Sequence, residues 1–172
     1  AKTITITGLT FQNKVYDRTT TASATGTAAL SGVVGSDDVT LGGTPAYSFA
    51  SATVGNAKAV STTGYSLSGT ASGNYTLTQP SGTANITGAP LTVTGATATG
   101  RAYNASTSVA ITGGSLSGVI SPDVVTLGGS PTGTMADANA GDNKPVTVSG
   151  YSISGTDSGN YTISQPTDVT VN

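Results

Sequence analysis

The chain repeats itself once, and that constrains its fold more than any single motif. "DDVTLGGTP" at 37–45 returns as "DVVTLGGSP" at 123–131, and "GYSLSGTASGNYTLTQP" at 64–80 returns as "GYSISGTDSGNYTISQP" at 150–166. "ITITG" at 4–8 is matched by "LTVTG" at 91–95. Tyr16 aligns with Tyr103 and Leu41 with Leu127, one residue being lost between these two anchors. Self-similarity of this kind means two copies of one structural unit. The units run over 1–88 and 89–172 and are each of ordinary domain size, toward the small end. The join reads Thr87-Gly88-Ala89-Pro90, directly before Leu91–Gly95. Proline fixes its own φ and restricts the residue before it. The expectation is a stiff head-to-tail pair, with Ile86, Ala89 and Leu91 as the apolar group at the join. No targeting segment opens the chain, so it reads as a piece of a longer array.

Within each unit the apolar residues alternate with small polar ones, the period of a strand with one buried face. Ile4 and Ile6 alternate with Thr3, Thr5 and Thr7; Leu91 and Val93 repeat the pattern. Tyr65, Leu67, Tyr75 and Leu77 alternate with Ser or Thr, as do Tyr151, Ile153, Tyr161 and Ile163. Gly, Asn, Asp and Ser clusters separate these runs, which is turn chemistry. No apolar stripe at helical spacing is present. Thr, roughly a fifth of the chain and its commonest residue, suits solvent-facing strand positions. The fold class is therefore all-β: two tandem Ig-like β-sandwich domains of about seven or eight short strands each, joined by a short linker. The predicted core is Ile4, Ile6, Leu41, Val60, Tyr65, Leu67, Tyr75 and Leu77. Its counterparts are Leu91, Val93, Leu127, Val146, Tyr151, Ile153, Tyr161 and Ile163.

One run sharpens the reading. Asp157-Ser158-Gly159-Asn160-Tyr161 has the D-x-G-x-Y form of a tyrosine corner, in which the hydroxyl bonds back to backbone at the start of its strand. Unit 1 has Ala71 in place of the Asp. Leu77 and Ile163 stand where antibody domains carry a cysteine, so an aliphatic side chain takes the place of a disulfide.

At this point the text resembles the YDG domain family, itself related to the "mostly bacterial Ig" (MBG) repeats. The resemblance rests on "KVYDRTTTA" (14–22), "GSDDVTL" (35–41), the Gly-x-x-Lys step at Gly55–Lys58 and "GYSLSGTASGNYTLTQP" (64–80). In unit 2 it rests on "RAYNASTSV" (101–109), "SPDVVTL" (121–127), Gly141–Lys144 and "GYSISGTDSGNYTISQP" (150–166). The name-giving triplet is degenerate, Tyr16-Asp17-Arg18 in one unit and Tyr103-Asn104-Ala105 in the other. The resemblance implies tandem repeats of a large, secreted bacterial surface protein, filamentous-haemagglutinin-like. It implies an extracellular, cell-surface location, an extender role in cell adhesion, and no enzymatic activity. The expected partners are neighbouring repeats of the same chain. Host, biofilm or matrix glycans would be met through other regions, and the chain itself is expected to be a monomer.

Composition limits the chemistry independently. With no His and no Cys there is no Ser-His-Asp triad, no thiol nucleophile and no zinc site of the usual kind. Six basic residues against eight acidic ones, all Asp, leave no footprint for nucleic acid. No apolar run has the length of a membrane span. No catalytic, metal or cofactor residue is therefore expected, and each candidate has a plainer reading beside it. Asp37 and Asp38 have the composition of an acid/base pair, but neighbours in an extended chain point apart, and Val124 stands where unit 1 has Asp38. Asp137, Asn139 and Asp142 have the spacing of a calcium loop. Unit 1 has Ser51, Thr53 and Asn56 there, and an Asx-type turn is the simpler expectation. Lys58 with Asp17, and Lys144 with Asn104, are the aligned pairs for an intramolecular isopeptide bond, with Asp37 and Asp123 as the assisting acids; exposed lysines are the alternative. Asn74, Asn85, Asn104 and Asn160 form N-x-S/T sequons, which chance supplies in so Thr-rich a chain. Tyr47, with Phe49 on the same face, is the aromatic expected at the surface for a lectin-like role. A carbohydrate- or calcium-binding adhesion module is the alternative to the extender.

Overall fold

A computed structural model describes residues 1–172, which divide into Ala1–Thr87 and Gly88–Asn172. The chain is all-β and β-sandwich-like; its helical residues form two single 3-10 turns, Ser72–Asn74 and Ser158–Asn160. No helix is long and apolar enough to cross a membrane.

Unit 1 holds β1 (Lys2–Phe11), β2 (Lys14–Val15), β3 (Ala24–Ser31), β4 (Thr40–Phe49), β5 (Gly55–Ser68), β6 (Tyr75–Thr78) and β7 (Ser81–Thr87). They form one sheet in the order β3-β1-β6 and a second in the order β2-β7-β5-β4. Unit 2 holds β8 (Ala89–Ala98), β9 (Ser108–Ser117), β10 (Thr126–Met135), β11 (Lys144–Ser154), β12 (Tyr161–Ser164) and β13 (Thr170–Val171). Here the same layers run on as β12-β8-β9-β10-β11-β13. β9 turns the corner: Ser108–Ala110 pair with β10 and Ile111–Ser117 pair with β8. In unit 1 the residues before β3 make this corner, Ala22 N–H donating to Tyr47 O and Phe49 N–H to Thr20 O.

The alternation seen in the text decides which face goes inward. In β1, Ile4 and Ile6 are buried while Thr3, Thr5 and Thr7 are exposed. Val60, Tyr75, Leu91, Val93, Val146, Tyr151 and Tyr161 are buried as expected. Leu41, Tyr65, Leu67, Leu77, Leu127, Ile153 and Ile163 are only half-buried, a correction to the predicted core. Leu77 and Ile163 lie on β6 and β12, short edge strands with a neighbour on one side only. Leu41 pairs with Leu67, and Leu127 with Ile153, near the far end of their ladders. Positions outside the predicted core supply the rest of the interior, including Tyr16, Phe49, Ile86, Val109, Ile111, Met135, Val169 and Val171.

The two units fill the same volume with different side chains. In unit 1 the rings of Phe11 and Tyr47 meet edge-on with centroids 5.9 Å apart. Unit 2 has Ala98 and Gly133 at those places, and puts Val109, Ile111 and Val169 where unit 1 has Ala22, Ala24 and Gly82. A Cβ on Gly82 would lie 2.7 Å from the Phe11 ring, and one on Gly133 would lie 2.7 Å from Val109, Ile111 and Val146. Each small residue is thus the space that its unit's larger side chains occupy, as close packing requires.

One position is left unbalanced. Thr62 is buried and its hydroxyl has no hydrogen-bond partner. Unit 2 has Val148 there, equally buried. An orphaned buried hydroxyl costs about 1–3 kcal/mol, and valine has nearly the same shape. Thr62→Val is therefore expected to raise the stability of unit 1 by about 1 kcal/mol. An unchanged or lowered urea midpoint for unit 1 would contradict this.

Candidate functional site

The few charged side chains act mainly on the chain's own loops. In unit 1 the Tyr75 hydroxyl donates to Asp37 Oδ2 at 2.6 Å and accepts the Val34 N–H at 3.0 Å. Unit 2 repeats this, Tyr161 donating to Asp123 Oδ2 at 2.6 Å and accepting the Ile120 N–H at 3.1 Å. This corrects the tyrosine-corner expectation. The hydroxyl reaches 41 residues back, to the loop before β4 or β10, and not to backbone near its own strand. The bond to Asp37 raises the Tyr75 pKa, against the Val34 N–H, which lowers it.

The neighbouring aspartate works elsewhere. Asp38 Oδ2 accepts the Thr70 N–H at 2.9 Å and its hydroxyl at 3.1 Å, and these bonds lower its pKa. Asp37 and Asp38 are thus two separate loop ties and no acid/base pair. Unit 2 makes the second tie from the other side: Asp157 Oδ2 accepts the Val124 N–H at 2.8 Å. The carboxylate has changed sides, from the loop before β4 to the turn before β12, while the tie between the two segments is kept. The replacements of Asp38 by Val124 and of Ala71 by Asp157 are one compensated exchange.

Cationic side chains gather oxygens in the remaining loops. Lys14 Nζ donates to Asp17 Oδ1 at 2.6 Å, to Thr19 O at 2.7 Å and Thr19 Oγ1 at 2.9 Å, and to Thr21 O at 3.1 Å. Arg101 does the same in unit 2, bonding Asn104 Oδ1 and Ser106 O. Lys58 Nζ donates to Ser51 Oγ at 2.6 Å and Thr53 Oγ1 at 3.3 Å. Lys144 Nζ donates to Asp137 Oδ1, to Asn139 O at 2.6 Å and to Asp137 O at 3.2 Å.

These contacts redistribute the candidates. Asp137 and Asn139 converge on the Lys144 ammonium, which sits at the oxygens that the calcium reading assigned to a cation. Asp142 makes no part of that set, and no cluster of three metal-ligating side chains exists. The isopeptide pairs do not meet: Asp17 is held by Lys14 and Lys58 by Ser51 and Thr53, while Asn104 is held by Arg101 and Lys144 by Asp137. Asp37 and Asp123 serve tyrosines. Asn85 Oδ1 accepts the Ala57 N–H at 2.8 Å, and Asn104 Oδ1 accepts the Ser106 N–H at 3.0 Å, so both sequon side chains have structural work. Asn74 and Asn160 each end a 3-10 turn.

The surface aromatic is also reassigned. Phe49 is buried, and the half-buried Tyr47 shares a hydrogen bond of 2.9 Å with the Tyr65 hydroxyl. That bond, with burial, leaves the Tyr65 pKa pushed up to about 12. The exposed aromatic is Tyr103, 69% accessible against 6% for its counterpart Tyr16. It borders a cleft of about 210 Å³ with Arg101, Val109, Met135, Lys144 and Val171. The aligned positions of Tyr16 and Tyr103 carry no sequence signal of this difference in exposure.

The YDG domain model matches residues 1–84 and 87–169, nearly the whole of both units. The chain belongs to the YDG domain family. Comparison with curated proteins and with solved structures finds no match. The name-giving triplet can now be explained in these two YDG domains. Its first residue is buried in unit 1, as Tyr16, and exposed in unit 2, as Tyr103. Its second, Asp17 or Asn104, binds the basic residue three positions back and accepts the N–H two positions on. Its third, Arg18 or Ala105, has φ of 70° or 59°, the left-handed region where glycine is least strained. The second role needs an oxygen-bearing side chain; the third sets a left-handed backbone angle, which Arg18 and Ala105 adopt at some cost.

The lysine-held loops imply a pH dependence. Bonds from Lys144 and the Asn139 N–H hold Asp137 below the ordinary aspartate range. Burial pushes Asp17 up, but bonds from Lys14 and Thr19 outweigh it and leave it lowered. A carboxylate depressed on folding stabilises the fold above its unfolded pKa of about 4, and that stability is lost as pH falls through the folded value. Both groups are largely exposed, so the effect is modest. The urea midpoint of unit 2 should fall between pH 6 and pH 3, and by less in Lys144→Met. An equal fall in both chains would show that this ion pair contributes nothing.

Proposed function

We propose that the two YDG domains are structural extender repeats of a large bacterial cell-surface adhesin, projecting a distal adhesive region from the cell. On this reading the chain is extracellular, has no enzymatic role, and has its neighbouring repeats as partners. The observation that carries it is the connection between the domains. β7 ends at Thr87 and β8 begins at Ala89, leaving Gly88 alone between them. Ile86 is buried in unit 1, and Ala89 and Leu91 are buried in unit 2, so both ends of the join are anchored. A flexible spacer would instead need a Gly/Ser run. The use of Asp, Lys and Arg to tie loops also suits a module whose function lies in length and stiffness.

Small-angle scattering tests the reading. Strand segments of about ten residues at roughly 3.3 Å each give a domain some 33–40 Å long, so an extender role requires a maximum dimension of about 70–80 Å for two domains. A maximum dimension close to that of one compact 172-residue globule would sink the extender role.

A further inference from the structure

The cleft beside Tyr103 has an occupied counterpart in unit 1. There β2 pairs in parallel with the end of β7, Lys14 opposite Ile86 and Val15 opposite Thr87, and the Tyr16 N–H donates to Thr87 O at 2.8 Å. Ile86 also lies opposite Gly55 across the β5 ladder and is 1% exposed. Each of these neighbours has its equivalent around the cleft: Arg101, Ala102 and Tyr103 for Lys14, Val15 and Tyr16, and Gly141 for Gly55. Asn172 is the counterpart of Asn85, since each accepts through Oδ1 a backbone N–H from the facing strand entry, Asn143 or Ala57, at 2.8 Å. The place that Ile86 fills in unit 1 is therefore the open volume directly beyond Asn172.

We infer that this cleft is a strand seat, which takes two extended residues running on from Asn172, the first a branched aliphatic. Three features fit that occupant. The floor is apolar, formed by Val109, Met135 and Val171, as a buried isoleucine requires. The backbone of 101–103 forms no strand in unit 2, so the groups that β2 pairs with β7 in unit 1 are open to a parallel neighbour. Arg101 Nε is buried without a partner, so the wall holds a donor still to be satisfied. Seating the pair would convert 101–102 into the counterpart of β2 and cover Tyr103 as Tyr16 is covered. The inference rests on the cleft and stands apart from the extender reading.

The test compares three chains: residues 1–172, the same chain with Ile-Thr added after Asn172, and the same chain with Gly-Ser added there. Nitration by tetranitromethane, mapped by mass, reports Tyr103 directly. Ile-Thr is expected to slow its nitration at least tenfold and to raise the melting temperature of unit 2 by several degrees. Gly-Ser should do neither, because it lengthens the chain without filling the floor. Removing the ring by Tyr103→Ala should shrink the gain in melting temperature given by Ile-Thr. Tyr103 nitrated equally fast in all three chains would overturn the seat, as would equal protection by Gly-Ser.

Discussion

Tyr161→Ala should destabilise unit 2 by about 3–5 kcal/mol, the usual cost of removing a buried aromatic ring. The ring is 6% exposed and sits at the start of β12, opposite Ala89 in the parallel pairing with β8. Its hydroxyl joins that strand to the loop before β10 through Asp123 and the Ile120 N–H. The ring and the hydroxyl can be separated. Tyr161→Phe keeps the packing but leaves Asp123 without this donor and Ile120 without this acceptor, for which about 1–3 kcal/mol is expected. Amide hydrogen exchange along unit 2 measures both and keeps unit 1 as an internal reference. A loss below about 1 kcal/mol for the alanine variant would show that the ring adds little to the core.

The second large effect is expected at a glycine. Gly43 has φ of 95°, and a Cβ there would lie 2.0 Å from Gly64 O. Gly64, with φ of 92°, is equally close to Thr44 O, at 2.1 Å. The pair lies where the β4–β5 register shifts between Gly43 and Ala46, and unit 2 repeats it at Gly129 and Gly150. Gly43→Ala therefore meets both a left-handed backbone and a fixed carbonyl. About 1–3 kcal/mol of backbone strain and a similar overpacking term put its cost on the order of 3–5 kcal/mol. Gly42 is the control next door: a Cβ there meets only Ser66 Oγ, at 3.9 Å. Gly42→Ala should stay within about 1 kcal/mol of the parent. Equal urea midpoints for the two variants would mean that the bulge can relax around a side chain.

The corrections follow a pattern. Ile4, Ile6, Leu91 and Val93 were legible because they alternate within a strand that is covered on its inner face. Leu77 and Ile163 alternate just as well, yet are half-exposed, because their strands end the sheet. Alternation reports which face a residue is on, while burial also depends on what lies beside its strand. Tyr16 and Tyr103 make the same point from the other side: similar surrounding text but opposite exposure, with a β2–β7 pairing beside Tyr16 only. The candidate sites failed as pairs for a related reason. Alignment of the two units placed Lys58 with Asp17, but Asp17 is held by Lys14, three residues away, and Lys58 by its own loop.

Sequence by itself determined the number of units, the all-β class, the inward face of most strands and the family, because repetition and a two-residue period are properties of neighbouring residues. Tertiary structure alone decided what the polar side chains do. Asp38 finds Thr70, Asp157 finds Val124, and Tyr75 and Tyr161 find Asp37 and Asp123, across separations of 32 to 38 residues. Such ties leave no local period in the text. The carboxylate can even move to the opposite partner, as it does between the two units, provided that the fold brings the same two backbone segments together.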